Sequence, residues 1–129
     1  PTSSRRQRQM CIRDSLFTIT GPGSPSVLTN MPRSIEQHVD WITQLLKYLT
    51  NSNMTKVEAK EIDAENWTKY VTEIANKTLM PKAGHSWYLG ANIPGKPRVF
   101  MPYANGLNNY RDECETVAAG GYTGFKISS

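Results

Sequence analysis

Apolar and polar positions recur at two different periods along the chain, and each change of period marks an element. LFTIT at residues 16–20 alternates large apolar residues with Thr, the period-two pattern of a short buried strand. GPGSPS at 21–26 interrupts it with two Gly and two Pro and predicts a loop. The period then lengthens. Ile35, Val39, Ile42, Leu46 and Leu49 fall on one stripe of a helix, flanked by Trp41 and Leu45. Pro32-Arg33-Ser34 leads into that helix, with Ser34 as its cap and Gln37 completing a capping box. Asn51-Ser52-Asn53 ends it and marks the expected internal boundary.

A second helix is predicted from a cap at Asp63, with Trp67, Tyr70, Val71, Ile74 and Ala75 on one face, ending near Leu79-Met80-Pro81. Residues 82–106 are irregular and rich in Gly and Pro, and only 98–101 has strand character. A third helix spans about 108–119 with Gly120-Gly121 as its stop, and residues 125–127 form a last short strand. A lone strand at 16–20 cannot bury both faces or satisfy its edges. The loop at 82–106 is longer than a compact domain usually carries unless it serves a site. Both features point to a piece of something larger.

Composition changes this picture little. The 129 residues, 38% hydrophobic, suit one globular domain. No apolar run approaches the ~20 residues of a membrane span, and no apolar signal core opens the chain. No membrane association is expected. Two cysteines build no framework of bridges, which favours a reducing, cytoplasmic location. Neither His38 nor His85 has zinc-site spacing, so no metal is expected. Cys114 lies at helical spacing from Tyr110, Val117 and Ala118 and reads as a small core residue, not a nucleophile.

Charge changes it more. Four Arg against one Asp in residues 1–15 account for +3 of the formal +4, leaving +1 for everything after Ser15. The basic run RRQRQMCIRDS at 5–15 has no apolar period, cap or turn chemistry, and resembles codon by codon the translation of a transposase-type sequencing adaptor. Residues 1–15 are therefore read as a non-native leader. The competing reading is a basic arm for nucleic acid, which no aromatic interleaving or recognition helix downstream supports. No nucleic-acid partner is expected.

Two blocks carry the functional reading: LFTITGPGSPSVLTNMPRSIEQHVDWI at 16–42 and SWYLGANIPGKPRVFMPYANG at 86–106. In order and separation they resemble the Baeyer–Villiger monooxygenases, the flavoprotein group containing cyclohexanone and phenylacetone monooxygenases. CETVAAGGYTGF at 114–125 fits the same family's terminus. The resemblance implies an α/β fold class: the C-terminal part of a flavoprotein with two dinucleotide-binding domains, namely the last FAD-domain strand and helix plus a helical, loop-rich C-terminal region. It divides the chain into the leader at 1–15, the C-terminal piece of the FAD-binding domain at 16–52, and a C-terminal region at 53–129 whose loop at 82–106 is a lid over NADP and substrate.

The implied activity is that of an FAD-dependent, NADPH-using monooxygenase, which converts ketones to esters or lactones with oxygen. Gly21-Pro22-Gly23 is not a dinucleotide turn, since Pro25 and Ser26 occupy places such a turn needs. The fragment is thus expected to hold no catalytic residue and to be inactive alone. The resemblance assigns Asn30 and Met31 main-chain contacts to the flavin's pyrimidine edge, at the start of a helix whose N-terminus favours an anion. It assigns Ser26, Val27 and Leu28 to the ketone pocket. Trp87 matches the lid Trp, whose indole N–H reaches the NADP ribose while its ring covers the pocket. Lys96 and Arg98 face either NADP phosphates or solvent. Two other functions stay open: a related flavin monooxygenase that oxidises sulfur or nitrogen, and a small non-catalytic binding module with a basic tail.

Overall fold

The computed structural model describes residues 16–25, 29–79, 82, 87–90, 93–95 and 99–129. The expected leader at 1–15, the residues Ser26, Val27 and Leu28 expected in the ketone pocket, and Lys96 and Arg98 lie outside the described residues, as does the side chain of Trp87. The described elements are α1 (Met31–Asn51), β1 (Lys56–Ala59), α2 (Glu61–Asn76), a single 3₁₀ turn (Trp87–Leu89), α3 (Gly106–Ala119) and β2 (Phe125–Ser128).

Helix α1 begins three residues before the predicted cap. Asn30 is the N-cap, its side-chain oxygen accepting the Arg33 N–H at 3.4 Å, and Pro32 sits in the first turn where its missing N–H costs nothing. Ser34 instead turns inward, fully buried, and donates its hydroxyl to the Pro25 carbonyl at 2.7 Å. The buried face is also rotated from the predicted stripe. Ser34, His38, Leu45 and Leu49 are buried, whereas Ile35, Val39 and Leu46 are 40%, 43% and 49% exposed. Two apolar faces run along this helix, and only one is covered by the described chain.

The covered face packs on a two-stranded antiparallel sheet, β1–β2. Strand β1 was not foreseen. It pairs antiparallel with β2, Val57 opposite Ile127 and Ala59 opposite Phe125. Leu45, Leu49, Val57 and Tyr122 form the core of this unit, with Phe17, Trp41, Ala118, Phe125 and Ile127 packed around it. Burying side chains of this size contributes about 1.5–3 kcal/mol each. On the outer side Glu58 faces Lys126, an opposite-charge cross-strand pair. The indole N–H of Trp41 donates to the Cys114 carbonyl at 2.9 Å and ties α1 to α3.

Helix α2 starts after Lys60, which gives no side-chain cap, and Glu61 and Asp63 supply the first-turn negative charge. Asp63 therefore acts inside the helix, not as its cap. Val71 and Ala75 are its buried residues. Its C-terminal end joins a second apolar cluster, in which Ala75 packs with Leu89 and Phe100, flanked by Tyr88 and Ala104. Residues 99–101, expected as part of a strand, have no strand structure.

No strand forms at 16–20 either. The segment bends at Ile19-Thr20, where Thr20 takes φ 54, a conformation that β-branched residues rarely adopt. Leu16 and Ile19 are exposed. Without a neighbouring strand to complete its hydrogen bonds, the apolar alternation leaves side chains in solvent. Among the described residues no helix is long and apolar enough to cross a membrane.

Candidate functional site

The loop at 21–25 lies where α1, α2 and residues 99–103 meet. Each contact follows from a local sequence feature. Gly23 adopts φ +81, available to Gly without cost, and a Cβ there would sit 2.9 Å from the Trp67 indole nitrogen. The absent side chain lets Trp67 approach and donate its indole N–H to the Gly23 carbonyl at 3.3 Å. Gly23 N–H donates to the Met101 carbonyl at 2.8 Å, and Tyr103 N–H donates to the Ser24 carbonyl at 3.0 Å. Ser24 closes the turn on itself, its hydroxyl donating to the Gly21 carbonyl at 2.6 Å. Ser34 holds Pro25 from below, as described above.

Aromatic rings fill the space behind the loop. Tyr103 is fully buried and stacks on Trp67, with ring centroids 5.7 Å apart and planes inclined by 6°. Tyr110 meets Tyr103 edge-on at 5.5 Å and His38 edge-on at 5.4 Å. Burial of the Tyr110 phenol raises its pKa, so its hydroxyl stays protonated. Burial likewise raises the pKa of the Cys114 thiol, the opposite of what a nucleophilic thiolate requires.

His38 connects this cluster to the segment before the loop. The Thr20 N–H donates to its Nδ1 at 3.0 Å, so that nitrogen carries no proton and the ring proton sits on Nε2. Nε2 is buried without a hydrogen-bond partner within the described structure. Desolvation holds the imidazole below its ordinary pKa and favours the neutral ring that this contact requires. A cavity of about 800 Å³ opens beside His38 between α1, α2, α3 and residues 17–24, with Trp67, Tyr70, Tyr110 and Phe125 among its walls.

The sequence-predicted site residues fall around this assembly. Asn30 caps α1 and Met31 is its first residue, 39% exposed, at a helix end with no acidic residue in the first turn. Residues 26–28, expected in the ketone pocket, lie in sequence between the loop at 21–25 and that cap and are outside the described residues. Trp87 opens the 3₁₀ turn, and the carbonyl of its neighbour Tyr88 accepts the Met101 N–H at 3.2 Å. The Gly23–Met101 and Tyr103–Ser24 hydrogen bonds join the two sequence blocks that carried the functional reading. Sequence reasoning missed Trp67, Tyr103 and His38. Trp67 read as one more apolar position of α2, and the only signal that set it apart was its possession of a polar N–H within an apolar face.

No family model matches the chain. Comparison with known proteins nevertheless gives extended matches. A cyclohexanone 1,2-monooxygenase of an Acinetobacter species is 40% identical over 113 residues, 88% of this chain and 20% of its own length. A phenazine N-monooxygenase of Lysobacter antibioticus is 36% identical over 115 residues, 89% of this chain and 21% of its own. The crystal structure of cyclohexanone monooxygenase from Rhodococcus sp. Phi1 bound to NADP+ superposes with a TM-score of 0.82 at 39% identity, over 90% of this chain and 21% of that one. The chain spans about a fifth of the length of the relatives it matches.

Proposed function

We propose that this chain, a homologue of the Baeyer–Villiger monooxygenases over about a fifth of their length, supplies the substrate-pocket wall and lid of an FAD- and NADPH-dependent monooxygenase acting on ketones. The observation that carries the reading is the hydrogen bonding of residues 23–24 to Met101 and Tyr103, which joins the loop before the pocket residues to the segment after the lid turn. Residues 16–52 then belong to the FAD-binding domain and 53–129 to the C-terminal region.

The residues present fit one edge of the flavin. Helix α1 has 21 residues, an Asn cap and no first-turn acid, so its N-terminus favours a negatively charged group. The Met31 N–H has no partner within the helix and faces outward along its axis. Asn30 and Met31 would hold the pyrimidine edge through the main chain, and FAD, when bound, supplies the redox chemistry linking NADPH to oxygen. Ser26, Val27 and Leu28 would line the ketone pocket. Trp87 would cover it, bind the NADP ribose through its indole N–H and exclude water from the reacting centre. No residue of this chain is assigned a proton-transfer or nucleophilic role.

A second reading is oxidation at nitrogen or sulfur, favoured by the match to a phenazine N-monooxygenase over the same share of the chain. One experiment separates them. The complete reading frame containing this segment is expressed with FAD, NADPH oxidation is followed with panels of ketones, N-heteroaromatics and sulfides, and products are identified by mass spectrometry. Esters or lactones from ketones support the leading reading. N-oxides or sulfoxides with no ester would replace it, and a protein that binds no flavin would end both.

A further inference from the structure

We infer that the cavity between α1, α2, α3 and residues 17–24 is a binding site for an organic cation, a quaternary ammonium or protonated amine carried on an apolar body. Its volume of about 800 Å³ is that of a small-molecule site. Every residue of its walls belongs to the described part of the chain. What selects the ligand is the chemistry of those walls: aromatic faces, two carboxylates and no side-chain cation.

The aromatic faces come in two groups. Trp67 lies 5.6 Å from Tyr70 and 6.1 Å from Tyr110 between ring centroids, and Trp41 lies 5.9 Å from Phe125. All of these rings line the cavity. The face of such a ring carries partial negative charge and attracts a cation within about 6 Å of its centroid. The carboxylates stand next to the rings. Glu113 Oε1 accepts the Tyr70 hydroxyl at 3.2 Å. Asp63 lies against Gly124, where an added Cβ would stand 3.5 Å from the Asp63 Cβ, and Phe125 follows directly. Both acidic residues are exposed, so neither carboxylate is stripped of its water by the fold.

Nothing on the walls offsets that charge. No Lys or Arg lines the cavity, and Arg111, two positions before Glu113, pairs with Glu115 at 3.4 Å. Desolvation lowers the pKa of His38 and raises those of the Tyr110 phenol and the Cys114 thiol, so all three are uncharged wall groups at neutral pH. One negative charge from Asp63 and one from Glu113 therefore give the walls a formal charge of −2. A phosphate or carboxylate ligand meets repulsion there and finds no cationic partner. An uncharged apolar molecule could fill the volume but would leave both carboxylates unused. A cation on an apolar body uses the rings and the carboxylates together.

The test is a calorimetric titration of the complete protein containing this segment with benzyltrimethylammonium, its uncharged carbon isostere, and benzylsulfonate as an anion of similar size. The expected result is saturable binding of the cation and none of the anion. Asp63→Asn and Glu113→Gln should each weaken the cation about threefold, and the two together about tenfold. Tyr70→Leu, which keeps apolar bulk and removes a ring face, should also weaken it about threefold. The isostere should keep its affinity in the carboxylate variants, which shows that the cavity has kept its shape, and should lose less than the cation in Tyr70→Leu. No binding of the cation overturns the inference, as does binding that all three substitutions leave unchanged. Equal losses for cation and isostere overturn it too, because the walls would then act by shape alone. So does an anion bound as tightly as the cation. Neither flavin nor turnover enters the measurement, so it decides the point even if the monooxygenase reading fails.

Discussion

Leu45 and Leu49, in the second half of α1, are buried by apolar contact with Val57 and Tyr122, whereas Ser34 and His38, in the first half, are buried as hydrogen-bonding groups serving residues 25 and 20. One helix thus anchors two regions by different physics. The sheet side is held by non-directional area, which tolerates small shifts. On the loop side, directional bonds specify where each carbonyl must lie. Both regions draw on residues dispersed along the sequence, and under the proposed function the second kind of anchor is the one that a loop leading into the pocket requires.

That difference can be broken at its strongest point first. Leu45→Ala removes a fully buried side chain from the core between α1 and the sheet and should cost about 2–5 kcal/mol, read as a lower urea midpoint at unchanged slope. Trp41→Phe deletes the donor to the Cys114 carbonyl between α1 and α3 and should cost about 1–2 kcal/mol in the same assay. Ser34→Ala leaves the Pro25 carbonyl without its buried donor. The expected loss is about 1 kcal/mol, accompanied by faster exchange of the Tyr103 amide on the neighbouring Ser24. Val39→Asn, on the uncovered face of α1, should change the stability of this chain by less than about 0.5 kcal/mol. A loss comparable to that of Leu45→Ala would mean that the two faces of α1 are not distinct.

The loop side should also respond to pH through His38. The folded pKa of His38 lies below its unfolded value of 6.5, so the unfolded chain takes up the proton first. Its contribution is complete above 6.5 and is lost as pH falls from there towards the folded pKa, because a proton on Nδ1 ejects the Thr20 N–H. Urea midpoints measured down this range should fall, and His38→Gln, which keeps an acceptor, should flatten that limb.

The same contrast explains what could be read from the sequence. Helices α1, α2 and α3 follow from apolar periodicity, and the match of residues 16–42 and 86–106 to one family was visible as text. The face of α1 that is covered was not legible, because Ile35, Val39 and Leu46 form as good a stripe as Ser34, His38, Leu45 and Leu49, and periodicity does not say which partner is present. Strand β1 escaped because four residues with one buried Val give no clear alternation. The strand expected at 16–20 failed for a related reason: strand character is realised only with a neighbour, and here Thr20 turns away to meet His38. The role of Trp67 depends on a carbonyl 44 positions away and could be seen only in three dimensions.

The most direct test of the functional account replaces the matched segment of the Acinetobacter cyclohexanone monooxygenase with residues 16–129 of this chain and measures ester or lactone formed per NADPH consumed. The account predicts a flavin-loaded chimera that converts a ketone to the corresponding ester or lactone in an NADPH-dependent reaction. A chimera that folds and binds flavin, yet oxidises NADPH without forming either product, would contradict it.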